Sequence, residues 1–450
     1  MNLRVCPWLG FASLMSLACS AGDGAVTEPD GSENGGSSGN GSLECSAAGI
    51  GTLTIEVVGL PDELEPEIEL SGPGALGVAE PGIYPDLPAG LYAVSAARVT
   101  DFDPIVRTVY EPTVASASGC VVDGGELAIT IEYSANPSSN KLWLTSGADV
   151  ELVAFGSADL AESAALDAPV AIDAPAGRDV AFDRDGNLWT FGPTVADPML
   201  VRFDAILLGD SAEVQPSLGV DVPQITCLPA LRAMAFDPDG NLWLSTCDEQ
   251  VMRLEPDQLN GEAETDVVIS SFTANQGLAF DSAGNLWVAD DGLITRYDAG
   301  RLDAADAEPA DLILSVSDAP ETRLLAADML AFDQAGNLWA TDFVSNFVFM
   351  VGAANLEGTG VVDVAADVSV AIGVTALLEG LAFDESNALW IILDSERFGM
   401  LSAEQLGESS GSGAPTEPAV IIQSSSITNA GGLAFFPAPA GLPLYHALPQ

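Results

Sequence analysis

AFDSAGNLW, residues 279–287, is one of five closely similar nine-residue segments in the last two thirds of this 450-residue chain. The other four are AFDRDGNLW (residues 181–189), AFDPDGNLW (235–243), AFDQAGNLW (331–339) and AFDESNALW (382–390). A repeat of this period predicts a stack or ring of similar units rather than one compact core, because each unit must bury its apolar face on the next.

Each copy of the segment predicts a β-hairpin that begins a unit of four strands. Between the first two strands, Gly284 and Asn285 supply the positive φ angles of a tight turn, and the Asp281 carboxylate can accept hydrogen bonds from the turn's own backbone. Leu286 and Trp287 point to opposite faces, so both faces of the sheet are packed. For this copy the predicted strands are residues 277–280, 286–289, 293–297 and 311–316.

The two ends of the repeat region each carry half of one hairpin. Residues 140–145 (NKLWLT) contain an LW strand without an AFD strand before it, and residues 431–436 (GGLAFF) contain an AF strand without an LW strand after it. Pairing of these halves makes a sixth unit and closes the ring without an open sheet edge. We therefore expect an all-β chain in which residues 138–450 form a six-bladed β-propeller, closed by pairing of its N- and C-terminal strands.

The spacing of the tryptophans agrees with this fold. Apart from Trp8, they lie at positions 143, 189, 243, 287, 339 and 390, at intervals of 44 to 54 residues, close to the length of a propeller blade. With its Gly-Asn hairpin followed by an aromatic strand, the region resembles the NHL and SMP-30-like six-bladed propellers. Because that superfamily includes lactonases, lyases and pure scaffolds, the resemblance implies a fold and leaves the function open.

A smaller module precedes the repeats. Residues 52–58, 91–99 and 127–133 alternate polar and apolar side chains and are bounded by Gly- and Pro-containing turns, which predicts a small β-sandwich over residues 45–135. The segment DLPAGLY, residues 86–92, resembles the turn of prealbumin-like or PEGA-like surface modules. For this module we expect the role of a spacer or an adhesion domain.

The N-terminal residues predict export. Arg4 precedes an apolar stretch, residues 5–17, which is too short to span a bilayer. SLACS, residues 16–20, resembles a bacterial lipobox; this implies a signal peptide over residues 1–18, a lipid on Cys19 and, since Ser20 follows, an outer-membrane lipoprotein facing the periplasm or the cell surface. Cleavage after Ser20 is the alternative. Residues 19–44, rich in Gly, Ser and acidic residues, predict a disordered tether.

The cysteines are consistent with an exported protein. Apart from Cys6 and Cys19, four cysteines remain, and an even number in an exported chain predicts disulfides. Four cysteines allow three pairings. We favour Cys45–Cys120 with Cys227–Cys247, because each of these pairs lies inside one predicted domain.

The charge of the chain limits its partners. There are 13 Lys and Arg against 66 Asp and Glu, a net charge of −53, while 48% of the residues are hydrophobic. This predicts a folded acidic protein that repels nucleic acid and anionic lipid, so that it meets the membrane only through its anchor. We expect a monomer whose ligand is an extracytoplasmic protein, peptide or carbohydrate.

One face of the predicted propeller collects polar side chains that vary between units. Before the first strand of successive units lie Arg178, Arg232, Gln276, Asp328 and Glu379, and after two of the tryptophans lie Asp290 and Asp342. We expect the first set to line the channel mouth and to bind a ligand. In the alternative interpretation, the mouth is a wet rim that tolerates any polar residue.

Two ligand chemistries fit these residues. Asp290, Asp328, Asp342 and Glu379 could gather carboxylate oxygens for Ca²⁺, the one cofactor to which the pattern points; the resemblance to SMP-30-like lactonases implies a divalent ion at this face. Alternatively, Arg178 and Arg232 could clamp an acidic sugar or a carboxylate, with the two halves of the ring then carrying opposite charge.

Other chemistries are excluded. DRDG (residues 183–186) and DPDG (237–240) resemble the start of a Ca²⁺ loop, but no Glu follows at the required position, so they are turns. The only histidine of the chain is His446, four residues from its end, so we expect no Ser-His-Asp triad and no histidine zinc site inside the ring. It also argues against the His-dependent mechanism of streptogramin lyases, a related propeller family.

Two functions remain. The first is a lipid-anchored cell-envelope protein without catalytic residues, whose propeller is a binding scaffold. The second is a divalent-metal-dependent hydrolase of the lactonase type, in which the ion polarises a carbonyl and a carboxylate at the mouth acts as base.

Overall fold

A computed structural model of the chain describes residues 45, 48–73, 77–147, 151–174, 177–192, 199–223, 225, 231–261, 263, 265, 267–270, 272–303, 309–318, 323–342, 344–373, 378–407, 415–442 and 444. Residues 45–450 form one compact unit. The predicted signal peptide, Cys19 and the predicted tether lie outside the described residues. No helix in the part described is long and apolar enough to cross a membrane.

The N-terminal part of this unit consists of two sheets that share one hydrophobic core. Their strand orders are β4-β1-β9-β7-β6 and β3-β2-β5-β8. Leu53, Leu70, Tyr92 and Ile131, from both sheets, are buried together. The strands predicted around residues 52–58, 91–99 and 127–133 are confirmed as β1, β5 and β9. The strands are β1 (Ile50–Val58), β2 (Ile68–Ser71), β3 (Gly77–Ala79), β4 (Gly82–Pro88), β5 (Gly90–Ala96), β6 (Val99–Asp101), β7 (Thr108–Val114), β8 (Ser118–Val121) and β9 (Glu126–Ala135).

A disulfide joins Cys45 to Cys120, with their Cα atoms 5.5 Å apart. The predicted pairing of these two cysteines is therefore confirmed, with Cys120 on strand β8. Cys247 is also disulfide-bonded. Because Cys227 lies outside the described residues, the pair Cys227–Cys247 stays a prediction.

The repeat region consists almost entirely of short strands. The first are β10 (Lys141–Ser146), β11 (Glu151–Gly156), β12 (Ala164–Ala165), β13 (Val170–Asp173), β14 (Val180–Phe182), β15 (Leu188–Phe191), β16 (Met199–Phe203), β17 (Ala212–Glu213), β18 (Leu218–Asp221), β19 (Leu231–Phe236), β20 (Leu242–Thr246), β21 (Val251–Leu254) and β22 (Val267–Ile269). The others are β23 (Asn275–Phe280), β24 (Leu286–Asp290), β25 (Leu293–Tyr297), β26 (Leu312–Asp318), β27 (Arg323–Leu324), β28 (Ala327–Phe332), β29 (Leu338–Asp342), β30 (Phe347–Val351), β31 (Gly360–Ala365), β32 (Val368–Ala371), β33 (Glu379–Phe383), β34 (Leu389–Ile392), β35 (Arg397–Leu401), β36 (Val420–Gln423) and β37 (Leu433–Phe436). The helices are α1 (Ser157–Leu160), α2 (Ala403–Leu406) and the 3₁₀ turns Ala205–Leu207, Ala299–Arg301 and Ala353–Asn355.

These strands form sheets that we number I to VI. Sheet I is β14-β15-β16-β18, sheet II is β19-β20-β21-β22, sheet III begins β23-β24-β25-β26, sheet IV is β28-β29-β30-β32, sheet V begins β33-β34-β35-β36, and sheet VI begins β37-β10-β11-β13. The first strands contact one another in this order, and β37 of sheet VI contacts β14 of sheet I. The sheets therefore lie around a closed circle, in a propeller-like arrangement.

Sheet VI is built from the two ends of the repeat region. Strand β10 pairs with β37, so that Leu142 lies opposite Phe435 and Trp143 opposite Ala434. The predicted pairing of these two segments is confirmed. It links the circle through backbone hydrogen bonds between strands almost 300 positions apart in the numbering.

The Trp and Phe of the repeated segment form the contacts between neighbouring sheets. Trp287 of sheet III meets the edge of Phe332 of sheet IV, with ring centroids 6.0 Å apart. The same contact recurs at every junction, at 5.9 to 6.4 Å, and the last one joins Trp143 of sheet VI to Phe182 of sheet I. Since each pair is buried, the repeated aromatic residues supply the apolar face that each sheet shares with the next.

The Asp of the repeated segment organises the hairpin. In the copy of sheet III, Oδ1 of Asp281 accepts from the amides of Ala283 and Asn285, and Oδ2 accepts from Nδ2 of Asn285 and from Nε1 of Trp287. Gly284 takes a φ of 80° in this turn. The carboxylate thus ties the turn to the buried tryptophan, which explains why Asp, Asn and Trp recur together.

Two copies depart from this pattern and compensate for it. In sheet V, Asn387 takes the place of the glycine with a φ of 58°, and Ala388 takes that of the asparagine, so Asp384 accepts from two amides and Trp390 only. Burial raises the pKa of Asp384. In sheet VI, which lacks the aspartate, Trp143 donates to the carbonyl of Ser138.

Several sheets carry an outer strand that sequence reasoning omitted. The connection between the third and fourth strands of sheet IV contains β31, which pairs in parallel with β26 of sheet III. In the same way, β12 from sheet VI pairs with β36 of sheet V, and β17 from sheet I pairs with β13 of sheet VI. Each of these connections covers the outer edge of the preceding sheet, which would otherwise be open.

Candidate functional site

The first strands of the six sheets surround a cavity of about 130 Å³. Its wall is mostly apolar and includes Met234, Leu278, Met329 and Leu381. At the ends where the first strands finish, the segment after β37 adds Ala438, Pro439, Leu442 and Leu444 to the lining. The predicted mouth residues are not among the described residues that line the cavity; they lie next to its opposite end, where the first strands begin.

Five of those residues share this rim. Arg178 stands just before β14, and the other four lie at or near the starts of their strands: Arg232 on β19, Gln276 on β23, Asp328 on β28 and Glu379 on β33. All five are partly buried. The rim therefore presents one polar side chain from each of sheets I to V.

Arg178 and Glu379 pair with each other rather than leaving two halves of opposite charge. Nη2 of Arg178 lies 2.5 Å from Oε1 of Glu379. Between their sheets stands sheet VI, where the corresponding position is Gly431. A Cβ atom on Gly431 would lie 2.2 Å from the carbonyl oxygen of Arg178 and 2.8 Å from its Cγ. The glycine thus leaves the space in which Arg178 lies. The sequence signal for this close approach was Gly431, at a position where the other copies carry Arg, Gln, Asp or Glu.

The carboxyl group of Asp328 is the most perturbed group of the rim. Burial raises its pKa to about 6, and the charge of Glu379 acts in the same direction, whereas Arg178 and Arg232 oppose the rise. Burial also raises the pKa of Glu379, against the effect of its partner Arg178. Perturbed carboxyls beside a cavity mark candidate functional sites.

Three rim side chains have no partner among the described residues. Arg232, Gln276 and Asp328 make no hydrogen bond or ion pair within that part of the chain, and Arg232 acts on Asp328 only through its charge. The rim is therefore divided into a closed side, where Arg178 and Glu379 satisfy each other, and an open side on sheets II, III and IV.

Sequence reasoning missed Asp179, which lines the cavity itself. Its Oδ1 accepts from the amide of Val180 at 2.9 Å, and its Oδ2 accepts from the amide of Met234 at 2.8 Å. Burial raises the pKa of Asp179 to about 6, although both amides and Arg178 oppose the rise. The signal was a carboxylate at a position where other copies have Ala, Gly or Met.

The four predicted Ca²⁺ ligands do not form one set. Asp290 accepts from the amides of Thr273 and Ala274, and Asp342 accepts from those of Val344 and Ser345. Both carboxylates thus hold loop backbone. Within the described ranges, no three Asp, Glu, His or Cys side chains are grouped so that they could hold a metal ion. These residues do not fit the predicted ion, because local loop hydrogen bonds engage two of the four.

Comparisons with known proteins yield structural neighbours only. No protein-family model matches the chain, and no curated protein matches it. Virginiamycin B lyase from Staphylococcus aureus is 15% identical, with a TM-score of 0.35 over 54% of this chain and 70% of that one. A streptogramin B lyase is 15% identical, with a TM-score of 0.35 over 54% of this chain and 69% of that one. A protein of unknown function from Bacteroides caccae is 10% identical, with a TM-score of 0.42 over 66% of this chain and 98% of that one. Values this low carry no argument about activity.

Proposed function

We propose that this chain is a lipid-anchored cell-envelope protein in which a six-bladed β-propeller acts as a binding scaffold behind a β-sandwich spacer. The closed series of Trp–Phe contacts supports six blades, and the shared core of two sheets supports the sandwich. The proposed anchor depends on the lipobox-like segment around Cys19.

The observation that carries the binding function is the open side of the rim. Arg232, Gln276 and Asp328 offer a cation, an amide and a carboxylate at the starts of strands whose following residues line an apolar cavity. A concave apolar pocket with a few convergent polar groups is the usual form of a ligand site. Groups that remain without a partner in such a place gain more from a ligand than groups that are already paired.

The metal-dependent hydrolase receives less support from the geometry. Of its four predicted ligands, only Asp328 and Glu379 lie on the rim, and Glu379 is held by Arg178. Calorimetry with CaCl₂ tests this alternative on the full chain. Binding of Ca²⁺ that is lost in Asp328→Ala would favour the hydrolase over the scaffold.

A ligand screen tests the scaffold directly. Thermal unfolding of the full chain would be followed with a panel of amino acids, peptides and oligosaccharides. The same panel would be applied to the double variant Arg232→Gln/Asp328→Asn and to the control Asp363→Asn, on the exposed strand β31. We expect stabilising ligands that act on the wild type and the control but not on the double variant. A panel without any such ligand would contradict the proposal.

The anchor has a separate test. Mass spectrometry of the mature N-terminus should find Cys19 as the first residue with the mass of attached acyl chains. A mature protein that begins at Ala21 would contradict it.

A further inference from the structure

We propose that the open side of the rim and the cavity below it form a site for a free α-amino acid with an aliphatic side chain. This inference rests on the binding function proposed above and names its ligand class. The ligand's carboxylate would bind Arg232, its ammonium group would bind Asp328, and its side chain would enter the cavity.

The order of the three side chains around the ring suits a ligand that carries both a carboxylate and an ammonium group. Arg232, Gln276 and Asp328 stand on the consecutive sheets II, III and IV, so the amide lies between the cation and the carboxylate. A guanidinium binds a carboxylate through two parallel hydrogen bonds. The amide of Gln276 can both donate and accept, and therefore serves either end of the ligand.

The charges of the rim favour an ammonium group at Asp328. Arg178 and Arg232 are both within electrostatic range of Asp328, but Arg178 is bonded to Glu379 and Arg232 forms no ion pair with Asp328 in the described structure. A partly buried carboxylate without a bonded partner is costly in its charged form. A bound ammonium group would supply the missing hydrogen bonds, while the ligand's own carboxylate would satisfy Arg232.

The cavity selects the side chain. A volume of about 130 Å³ with walls such as Met234, Leu278 and Met329 is close to the roughly 150 Å³ of an apolar cavity that holds benzene. An aliphatic side chain of a few carbon atoms fits this space, whereas a monosaccharide would bury hydroxyl groups against apolar walls. The net charge of −53 repels acidic sugars, while a neutral zwitterion approaches without that penalty.

Calorimetry with three probes at pH 7.5 tests the two ends of the ligand separately. The probes are L-leucine, N-acetyl-L-leucine, which lacks the ammonium group, and L-leucinamide, which lacks the carboxylate. We expect the full-length protein to bind leucine, and each analogue to bind roughly tenfold or more weakly, because each leaves one charged rim group unpaired.

Two variants then assign each end to its residue. Asp328→Asn should weaken the binding of leucine roughly tenfold and leave the binding of N-acetyl-leucine unchanged. Arg232→Gln should weaken the binding of leucine and leave the binding of leucinamide unchanged. Asp363→Asn is the charge-matched control and should bind like the wild type. Circular dichroism of each variant reports whether it is folded.

Two results would overturn the inference: no binding of leucine to the wild type, or leucine binding that neither rim variant changes. If leucine does not bind while the binding of other ligands in the screen still depends on Arg232 and Asp328, the proposed ligand class is wrong but the proposed binding scaffold is supported. If no ligand depends on these residues, both proposals fall.

Discussion

Arg178 and Glu379 lie 201 residues apart in the chain and form an ion pair across the rim of the central cavity, with 2.5 Å between Nη2 and Oε1. The guanidinium reaches past sheet VI, where Gly431 leaves room for it. This pair forms the closed side of the rim, and the open side on sheets II, III and IV is the part that we propose binds a ligand.

A double-mutant cycle should measure this pair. We expect Arg178→Gln and Glu379→Gln to show a coupling energy of about 0.5–1 kcal/mol in urea unfolding, since the arginine is 38% exposed and partly screened by water. The coupling should decrease in 0.5 M NaCl. Additive effects of the two substitutions would mean that the pair contributes nothing to stability.

Gly431→Ala should destabilise the protein. The added Cβ would lie 2.2 Å from the Arg178 carbonyl oxygen, so the backbone must shift, and we expect a loss of about 1–3 kcal/mol. Gly300→Ala is the matched control, because a Cβ there meets no atom within 4 Å, and its effect should stay within about 0.5 kcal/mol. Equal melting temperatures for the two variants would contradict the close approach.

Asp328→Asn should change how stability depends on pH. Burial raises the pKa of this carboxyl from its ordinary value of 3.8 to about 6 in the folded protein, so the folded state binds the proton more tightly than the unfolded state. The contribution of Asp328 to the stability of the wild type therefore falls as pH rises from about 4 to 6, and the loss persists above that range. Asparagine does not titrate. The free energy of unfolding of Asp328→Asn, relative to that of the wild type, should therefore increase by about 1–3 kcal/mol from pH 4 to pH 7.

Urea unfolding at both pH values, with Asp363→Asn as the control for an exposed carboxyl, checks this prediction. An advantage of Asp328→Asn that is the same at both pH values would show that Asp328 has no raised pKa in the folded protein.

Asp281→Asn should weaken sheet III. Each carboxylate oxygen of Asp281 accepts two hydrogen bonds, including the one from Trp287, and an amide nitrogen in place of one oxygen would face donors. We expect a loss of about 2–4 kcal/mol in urea unfolding. Ser282→Ala, in the exposed part of the same turn, should change stability by less than about 0.5 kcal/mol. If both variants unfold alike, the aspartate does not organise the hairpin.

Much of the fold was predictable because its signals are local. Turn chemistry around Gly284 and Asn285 and the alternation of Leu286 and Trp287 predict the hairpin, and repetition predicts neighbours of the same kind. The two unpaired strands at the ends of the repeat region were then predicted to pair with each other, and the structure pairs them, with Trp143 opposite Ala434. The parallel pairing of β31, from sheet IV, with β26 of sheet III was not predictable in this way. It depends on which connecting segment reaches which sheet edge in the folded protein.

The candidate site was predictable only in position. The repeat register placed Arg232, Gln276 and Asp328 at one end of the first strands, because equivalent residues of repeated units occupy equivalent places. It could not predict that Arg178 forms an ion pair with Glu379, that Asp290 and Asp342 accept hydrogen bonds from loop amides, or that Asp179 lines the cavity. Those outcomes depend on distances between side chains of different sheets and on burial.

Backbone hydrogen bonding and apolar periodicity act over a few residues, so they can be read from the chain and they establish the ring of repeated hairpins. Hydrogen bonds and ion pairs between sheets act only over a few ångströms in space, so the folded ring alone decides which polar groups of the rim are satisfied and which remain open to a ligand.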